Sequence, residues 1–315
     1  PSRGRSARPA AGNLFDVMAG AGGRGNLERV SASADGRFVF AGLPAGSYTL
    51  AVEAPGYLDS LSSAVLPGSA ATSVVIREGQ AVARATIRLW KQGVLTGVVQ
   101  DEAAEPVVGA RVTAFRRVIS RFGVLSYQSS RSAATDDRGI YRLAGLPPGD
   151  YVVAIPQKQS TVAGAAADTM MRGLMSGQMP VGELASFGRG GASPMDPRAV
   201  RVGEWRLASE NVQSPAGTAD GRLLAYRTAF YPRDTSLAEA TLVTLRSGEE
   251  RSGVDFSIEP VITGRVTGAV TGPDGAVGAI DVRLVPADSD RRVTGPAALD
   301  VASGRTGADG RFTLL

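Results

Sequence analysis

Three stretches, at residues 34–50, 134–154 and 308–314, alternate apolar with polar positions after a polar turn. A period of two places every second side chain on one face, which is typical of β-strands with one buried side. When the stretches are aligned on the glycine of the turn, an aromatic residue falls at the same position in each: Phe38, Tyr141 and Phe312. The pattern therefore predicts a repeated strand whose aromatic residue points into a core.

The first two stretches continue through a Leu-Pro-x-Gly corner, at Leu43–Gly46 and at Leu146–Gly149. Proline presets φ for a turn and glycine is favoured at its end, so the chain is expected to return antiparallel. Tyr48 and Tyr151 follow the corner by two residues. By analogy with the tyrosine corner of sandwich domains, we expect each hydroxyl to reach backbone nearby.

The motif Thr-Asp-x-x-Gly-x-Tyr-x-Leu-x-Gly-Leu-Pro-Pro-Gly-x-Tyr at residues 135–151 follows a pair of apolar strands that begins near residue 94. This pattern resembles the carboxypeptidase regulatory-like domain, whose family belongs with the prealbumin-like (transthyretin-like) β-sandwiches. It is also similar to the carbohydrate-binding-like fold and to the B-type domains of collagen-binding adhesins. The resemblance implies an all-β chain of tandem Greek-key β-sandwich domains, and it is clearest over residues 91–156 and the strands after residue 226.

Repeated opening and closing strands divide the chain into three expected copies. Residues 1–90 form the first, with an irregular or incomplete start, and residues 91–260 form the second. A Gly-, Ser- and Met-rich insertion at 157–225 interrupts the second copy, and long loops of this kind are usually functional or disordered. Residues 261–315 form a truncated third copy.

Three local predictions accompany this division. Alternation at Val82–Leu89 predicts the strand that closes the first copy, and Val254–Ile258 is its counterpart in the second. Inside the insertion, residues 166–175 predict a short amphipathic helix that covers its parent domain, with a binding loop as the alternative.

Composition supports this fold class and limits the chemistry. The 315 residues include 40 Gly and 18 Pro with 6% aromatic residues, which suits short strands joined by many turns. The chain has no Cys and no His. Ser-His-Asp and Cys-His catalysis and zinc sites built on those residues are therefore excluded, and we predict no enzyme, no cofactor and no metal site. A net charge of +4, with basic residues scattered among acids, argues against a nucleic-acid partner.

Four aromatic residues are candidates for stacking on a sugar ring, which needs exposed rings flanked by polar groups. A structural alternative applies to two of them, since Trp90 could wedge between domains and Tyr231 could pack under the insertion. The candidates are Tyr57, Trp90, Trp205 and Tyr231.

Paired carboxylates at Asp136-Asp137 and Glu249-Glu250 fall in turns, so solvated turns are favoured over acid–base catalysis. Adhesin B-type domains often carry an isopeptide bond from a lysine. Lys91 lies near an opening strand, as such a lysine would, but the matching closing strand offers only Asp255. We therefore predict no isopeptide bond.

The resulting functional hypothesis is a non-catalytic spacer or recognition arm of an exported or cell-envelope protein. Its expected partners are a carbohydrate or another envelope protein, and the oligomeric state is left open. The alternatives are a carbohydrate-binding module and an accessory domain of a larger peptidase or outer-membrane receptor. Neither a leader segment nor a membrane-spanning run is evident, and we expect these residues to be an internal part of a longer chain.

Overall fold

The structure is a computed structural model of the chain. It describes residues 29–58, 60–61, 73–80, 83–119, 122–176, 199–215, 218, 220, 222–285, 293–294 and 302–315. The chain divides into two compact units, Pro1–Gln92 and Gly93–Leu315.

The first unit contains short strands in two-stranded pairs: β1 (Gly46–Tyr48), β2 (Ala51–Val52), β3 (Ser60–Leu61) and β4 (Val74–Ile76). β1 pairs with β4 and β2 pairs with β3, both antiparallel. β1 lies in the first stretch predicted to form strands, residues 34–50. None of the unit's described hydrophobic side chains is fully buried.

Two predicted strands of the first unit are wrong, because residues 37–40 and 83–89 form no strand. The alternation itself is present, since Phe38 and Phe40 are half-buried and make an edge contact at 6.1 Å while Val39 between them is exposed. A strand also needs a partner for its backbone groups. No described segment of this unit pairs with residues 37–40, whereas their counterpart in the second unit lies against a long strand.

The second unit begins with long strands: β5 (Gly93–Gln100), β6 (Arg111–Ile119), β7 (Leu125–Ala134), β8 (Ile140–Leu146) and β9 (Gly149–Ile155). The insertion and the following segment contribute β10 (Gln159–Ala163), helix α1 (Gly164–Met175), β11 (Val200–Val202), β12 (Trp205–Ser209), β13 (Leu224–Tyr226) and β14 (Ala229–Phe230). The closing strands of the second copy are β15 (Val243–Leu245), β16 (Glu250–Arg251) and β17 (Phe256–Ser257).

The remaining strands belong to the third copy and its approach: β18 (Pro260–Ile262), β19 (Val266–Ala269), β20 (Thr271–Gly272), β21 (Gly275–Ala276), β22 (Asp281–Leu284), β23 (Val293–Thr294), β24 (Ala302–Arg305) and β25 (Arg311–Leu314).

The second copy is a sandwich of two sheets. One sheet is built on β5, which pairs antiparallel with β8 and parallel with β16 and β17. In the other, β9 lies between β6 and the strands β14 and β15, and β7 pairs on the far side of β6. The chain crosses from one sheet to the other at the turn before β6, at the turn before β8 and again at the Leu-Pro-Pro-Gly corner.

The inward faces of these sheets form one hydrophobic core. Tyr141 and Leu143 of β8, each 1% exposed, are buried in it as the alternation predicts. Leu95 of β5 and Tyr151 of β9 are also buried there. A smaller cluster lies on the outer face of the second sheet, where Phe115 packs with Phe230 and its neighbours.

The insertion is joined to the third copy through a shared sheet. Its strand order is β11-β12-β10-β24-β22, and β10 runs parallel to β24 with Gln159 opposite Ala302. In the other direction, β23 of the third copy runs parallel to β7, with Val293 opposite Tyr127. α1 contacts β10 and β12 and buries Ala167. The insertion therefore holds strands that its sequence did not predict, together with the predicted helix.

The prediction of an all-β chain is confirmed, with α1 as the helix of the described residues. The division into three copies stays a prediction. Strands of the second and third copies pair with each other inside the unit Gly93–Leu315.

Candidate functional site

The Leu-Pro-x-Gly corners are held by the tyrosine that follows them. Tyr48 donates its hydroxyl to the carbonyl of Pro44 at 2.8 Å, and Tyr151 donates to the carbonyl of Pro147. Both bonds span four residues, so the expected tyrosine-corner geometry is confirmed in both copies. Burial raises the pKa of Tyr151 to about 12, which keeps its hydroxyl a donor at neutral pH.

Two arginines of the β6–β7 hairpin donate hydrogen bonds to backbone carbonyls of the second corner. Arg116 donates to the carbonyl of Pro148 at 3.1 Å, and Arg131 donates to the carbonyl of Gly145 at 3.4 Å. The corner thus fixes both of its flanking strands, β8 and β9, to the neighbouring hairpin.

The segment that closes the second copy, residues 249–258, lies parallel to its first strand. The N–H of Val94 donates to the carbonyl of Glu249 at 2.9 Å, and further along the N–H of Ile258 donates to the carbonyl of Gln100 at 2.9 Å. We call this parallel contact the β5 seam. It joins the entry of the second copy to its exit.

The middle of the β5 seam departs from a regular ladder. The N–H of Val254 donates to the carbonyl of Thr96 at 3.2 Å, and the carboxylate of Asp255 accepts the N–H of Val98 at 2.9 Å. Tyr141 reaches across the core and donates its hydroxyl to the carbonyl of Val254 at 2.5 Å. Burial, and then the charge of Asp255, raises the pKa of Tyr141, so this donor stays protonated.

Of the predicted stacking residues, Tyr231 packs against the main core. Its ring meets Phe256 at 6.2 Å in an edge contact, and its hydroxyl lies 3.4 Å from the carbonyl of Gly253. Its N–H donates to the carbonyl of Val153 at 2.9 Å, and the peptide bond to Pro232 is cis. These contacts fit the structural alternative, in which Tyr231 packs inside the protein, better than a role in which its ring stacks on a bound sugar.

Trp205 begins β12, where it pairs with Ala163 and with Val202 and is half-buried. It therefore lies in a different sheet from the strands that flank Tyr231. In the first unit, Tyr57 bridges Lys91, and the next residue, Leu58, donates to the carbonyl of Trp90 at 2.8 Å. The role of these four aromatic residues in ligand stacking stays a prediction.

Two features of the Trp90 side chain stand out, a contact with an arginine and an indole N–H without a partner. The guanidinium of Arg88 lies 5.9 Å from its ring centroid, within the range of a cation–π contact. Its indole N–H is buried, and among the buried side-chain polar atoms of the described residues it is the one that lacks a hydrogen-bond partner.

The carboxylate pairs lie at turns, except that Glu250 begins β16. Asp136 accepts the N–H groups of Arg138 and Ile140 at 3.0 and 2.7 Å. Glu249 accepts the N–H of Arg246 at 2.7 Å, and Glu250 pairs with Arg142 at 3.4 Å. The described residues contain no group of three or more acidic side chains close enough to hold a metal ion.

A shallow surface cleft lies beside β12, lined by Val200, Leu207 and the segment 209–214. Three of its polar side chains are engaged in hydrogen bonds. Asn211 bonds the N–H of Arg111 at 2.6 Å and the carbonyl of Pro156 at 3.0 Å, and the hydroxyls of Ser209 and Ser214 lie 2.7 Å apart. The bonds of Asn211 fasten the insertion to β6.

Sequence reasoning missed the tip of the β6–β7 hairpin. Ile119, Phe122 and Val124 are 66%, 78% and 59% exposed there. The signal was present, because residues 106–135 hold five arginines and no acidic residue although charge is mixed along the chain as a whole. Within the described part of the chain, no helix is both long and apolar enough to cross a membrane.

The strands β5–β9 and the closing strands of the second copy form a two-sheet β-sandwich. Residues 94–167, from β5 into α1, match the carboxypeptidase regulatory-like domain family, which confirms the resemblance predicted from the motif. A comparison with curated proteins found no match.

Two solved structures show weak likeness to the chain. A streptococcal ancillary pilin is 14% identical over 81% of this chain, with a TM-score of 0.24. The Bacillus anthracis TIE protein is 13% identical over 84% of this chain, with a TM-score of 0.14. The chain spans 62% of the pilin and 51% of the TIE protein. At these TM-scores neither likeness carries an argument about function.

Proposed function

We propose that this chain is a non-catalytic, load-bearing spacer of an exported or cell-envelope protein. The match to a regulatory-like domain supports a non-catalytic role. The observation that carries the proposal is the β5 seam, because it connects the point where the chain enters the second copy with the point where it leaves.

A parallel pairing of entry and exit strands resists stretching. When the entry of β5 and the exit after β17 are pulled apart, the two segments move in opposite directions along a common axis. The bonds at Val94, Val254, Val98 and Ile258 are then loaded together in shear. In an antiparallel pair pulled from one end, the bonds break one after another, so each carries the load alone.

The core strengthens the same seam. Tyr141 anchors the carbonyl of Val254 from below, and Gly97 fits closely over it, since a Cβ at Gly97 would lie 2.0 Å from that carbonyl oxygen and 3.0 Å from the Tyr141 ring. Sliding along the seam would therefore disrupt core packing as well as hydrogen bonds.

Single-molecule force spectroscopy tests the proposal. The chain has no cysteine, so the pair Gln92→Cys and Glu259→Cys gives unique handles that load the seam in shear. The pair Gln92→Cys and Ala144→Cys is the matched control, because Val94 lies opposite Ala144 and pulling there peels β5 from β8.

We expect the shear pair to unfold the second copy at a force at least about twice that of the peeling pair, since several hydrogen bonds must break at once. Equal forces, or a lower force for the shear pair, would refute a load-bearing role.

A further inference from the structure

We propose that the tip of the β6–β7 hairpin is a membrane-contact element that inserts into the surface of an anionic lipid bilayer. We call residues 117–119 and 122–125 the hairpin tip. This inference is independent of the spacer function, because it concerns neither the β5 seam nor the ends of the second copy.

The hairpin projects beyond the sandwich. β9 covers β6 only from Thr113 to Arg116, so residues 117–119 pair with β7 alone. Phe115 is 2% exposed and Ile119 is 66% exposed, although they lie on the same face of the strand. Four residues of a strand span about 14 Å, so the apolar tip stands well clear of the core.

The exposed side chains are of the kind that enters lipid. Ile119, Phe122 and Val124 are large, apolar and within six residues of one another. Isolated exposed apolar residues need no explanation, but a cluster on a projecting loop marks a contact with an apolar phase or a partner. Penetration of such residues to the boundary between headgroups and acyl chains gives reversible binding.

The charge of the hairpin selects anionic lipid as the occupant. Arg117 lies two residues before Ile119, and Arg116 and Arg131 follow along the hairpin towards the corner. Asp150 of β9 lies 3.8 Å from Arg117 and is the acidic group facing it. Arg116, Arg117 and Arg131 together outnumber this one carboxylate, so this part of the hairpin carries a net positive charge. Basic residues near an anionic bilayer contribute about 1 kcal/mol each.

The same residues suit nucleic acid poorly. Single-stranded nucleic acid is bound on platforms of stacked aromatic rings, and the tip offers one ring with two aliphatic side chains. Aliphatic side chains offer no stacking face for a base but gain free energy on transfer into lipid, and this favours the bilayer.

Vesicle co-sedimentation of the full chain tests the inference. The unchanged protein is expected to bind phosphatidylcholine vesicles that contain phosphatidylglycerol, and to bind pure phosphatidylcholine vesicles much more weakly. Binding is expected to weaken as salt is raised, because exposed charges are screened.

Three variants separate the contributions. Phe122→Ser should reduce partitioning about tenfold through loss of its buried apolar area. Arg117→Ser should reduce it about fivefold, the equivalent of one surface charge. Val108→Ser is the matched control, because Val108 is also exposed (64%) but lies at the opposite end of β6, and it should bind like the unchanged protein.

All three positions are exposed, so circular dichroism should show an unchanged fold. No binding to anionic vesicles would overturn the proposal, as would binding that Phe122→Ser leaves intact. A loss of binding in Val108→Ser equal to that in Phe122→Ser would also overturn it, since the tip would then have no special role. If the protein binds an acidic polymer equally tightly and Phe122→Ser has no effect on either, the surface recognises charge alone and the lipid assignment is wrong.

Discussion

The second and third copies of the repeat share their hydrogen bonds but differ in burial. In the second copy, Thr135 accepts the N–H of Ala110 at 2.9 Å and donates to the carbonyl of Val107 at 2.5 Å. In the third, Thr306 accepts the N–H of Ile280 at 2.9 Å and donates to the carbonyl of Val277 at 3.1 Å. The pairing of β19 with β25 likewise repeats the pairing of β5 with β8.

The side chains on these matching strands have different surroundings. Leu95 of β5 is fully buried, whereas Val266, at the equivalent position of β19, is 44% exposed. Ala110 is 1% exposed and its counterpart Ile280 is 42% exposed. In the second copy these positions are covered by β9, β15 and the β5 seam, which have no counterparts among the described residues of the third copy.

The comparison separates two aspects of folding, the pairing of strands through hydrogen bonds and the burial of their side chains. The matching turns and strand pairings are formed by residues inside each copy, so they form alike in both copies. Burial depends on strands that come later in the chain, so it differs between them. The three predictions that follow test this separation, from the largest expected change in stability to the smallest.

The largest effect is expected from the aromatic residue shared by the copies. Tyr141→Ala should lower the free energy of unfolding of the second copy by about 3–5 kcal/mol, because it leaves a cavity in a closed core. Phe312→Ala should cost about 1–2 kcal/mol, because the Phe312 ring is half-buried and loses less contact. Denaturant unfolding, with hydrogen exchange assigning the change to one copy, measures both.

Tyr141→Phe is the control for this pair. It keeps the ring and removes the hydroxyl that bonds Val254, so its expected cost is about 1–2 kcal/mol. Equal losses in Tyr141→Ala and Phe312→Ala would contradict the difference in burial between the copies.

The same separation explains what the sequence could predict. Alternation at 140–146 correctly placed Tyr141 and Leu143 in the core, because β5 and β9 are present to cover them. The matching alternation at 37–40 predicted a strand that is absent, because alternation reports which face is apolar and says nothing of a partner strand. The tyrosine corners were predictable because each hydrogen bond closes within four residues.

The candidate surfaces were less accessible to sequence reasoning. Alternation alone could not reveal that β9 stops at Arg116 and leaves Ile119 exposed, since that depends on the lengths of strands distant in sequence. Tyr231 is an aromatic residue of the type that can stack on a ligand, yet its ring contacts Phe256 in the core. Pairing of β10 with β24 joins residues more than 140 positions apart, and no local pattern marks it.

A second prediction concerns the threonine shared by the copies. Thr135→Val and Thr306→Val keep the side-chain shape and remove the hydroxyl. At each site, one backbone N–H and one carbonyl then lose their hydrogen bond to that hydroxyl. Both threonines are 5% exposed, so each change should cost about 1–3 kcal/mol. The two costs should agree, because the local geometry is the same despite the different cores.

Amide exchange at Ala110 and Ile280 reports the loss directly, and both amides should exchange faster in the respective variant. Thr→Ser substitution at each site is the control, since it retains the hydroxyl. If Thr306→Val cost much less than Thr135→Val, strand pairing in the third copy would depend on the core after all.

The smallest effect is expected at the turn before β6 and β22, where the copies hold different residues in one backbone conformation. Gly109 has φ +76° and Ala279 has φ +60°, a region that favours glycine. Gly109→Ala should cost about 1 kcal/mol from backbone strain alone, because no heavy atom lies within 4 Å of the added Cβ. Ala279→Gly should stabilise the third copy by about 0.5 kcal/mol, the relief of strain being partly offset by the greater freedom of glycine in the unfolded chain. Thermal unfolding would show a lower transition temperature for the first variant and a higher one for the second, and the same sign for both would show that the two turns are not equivalent.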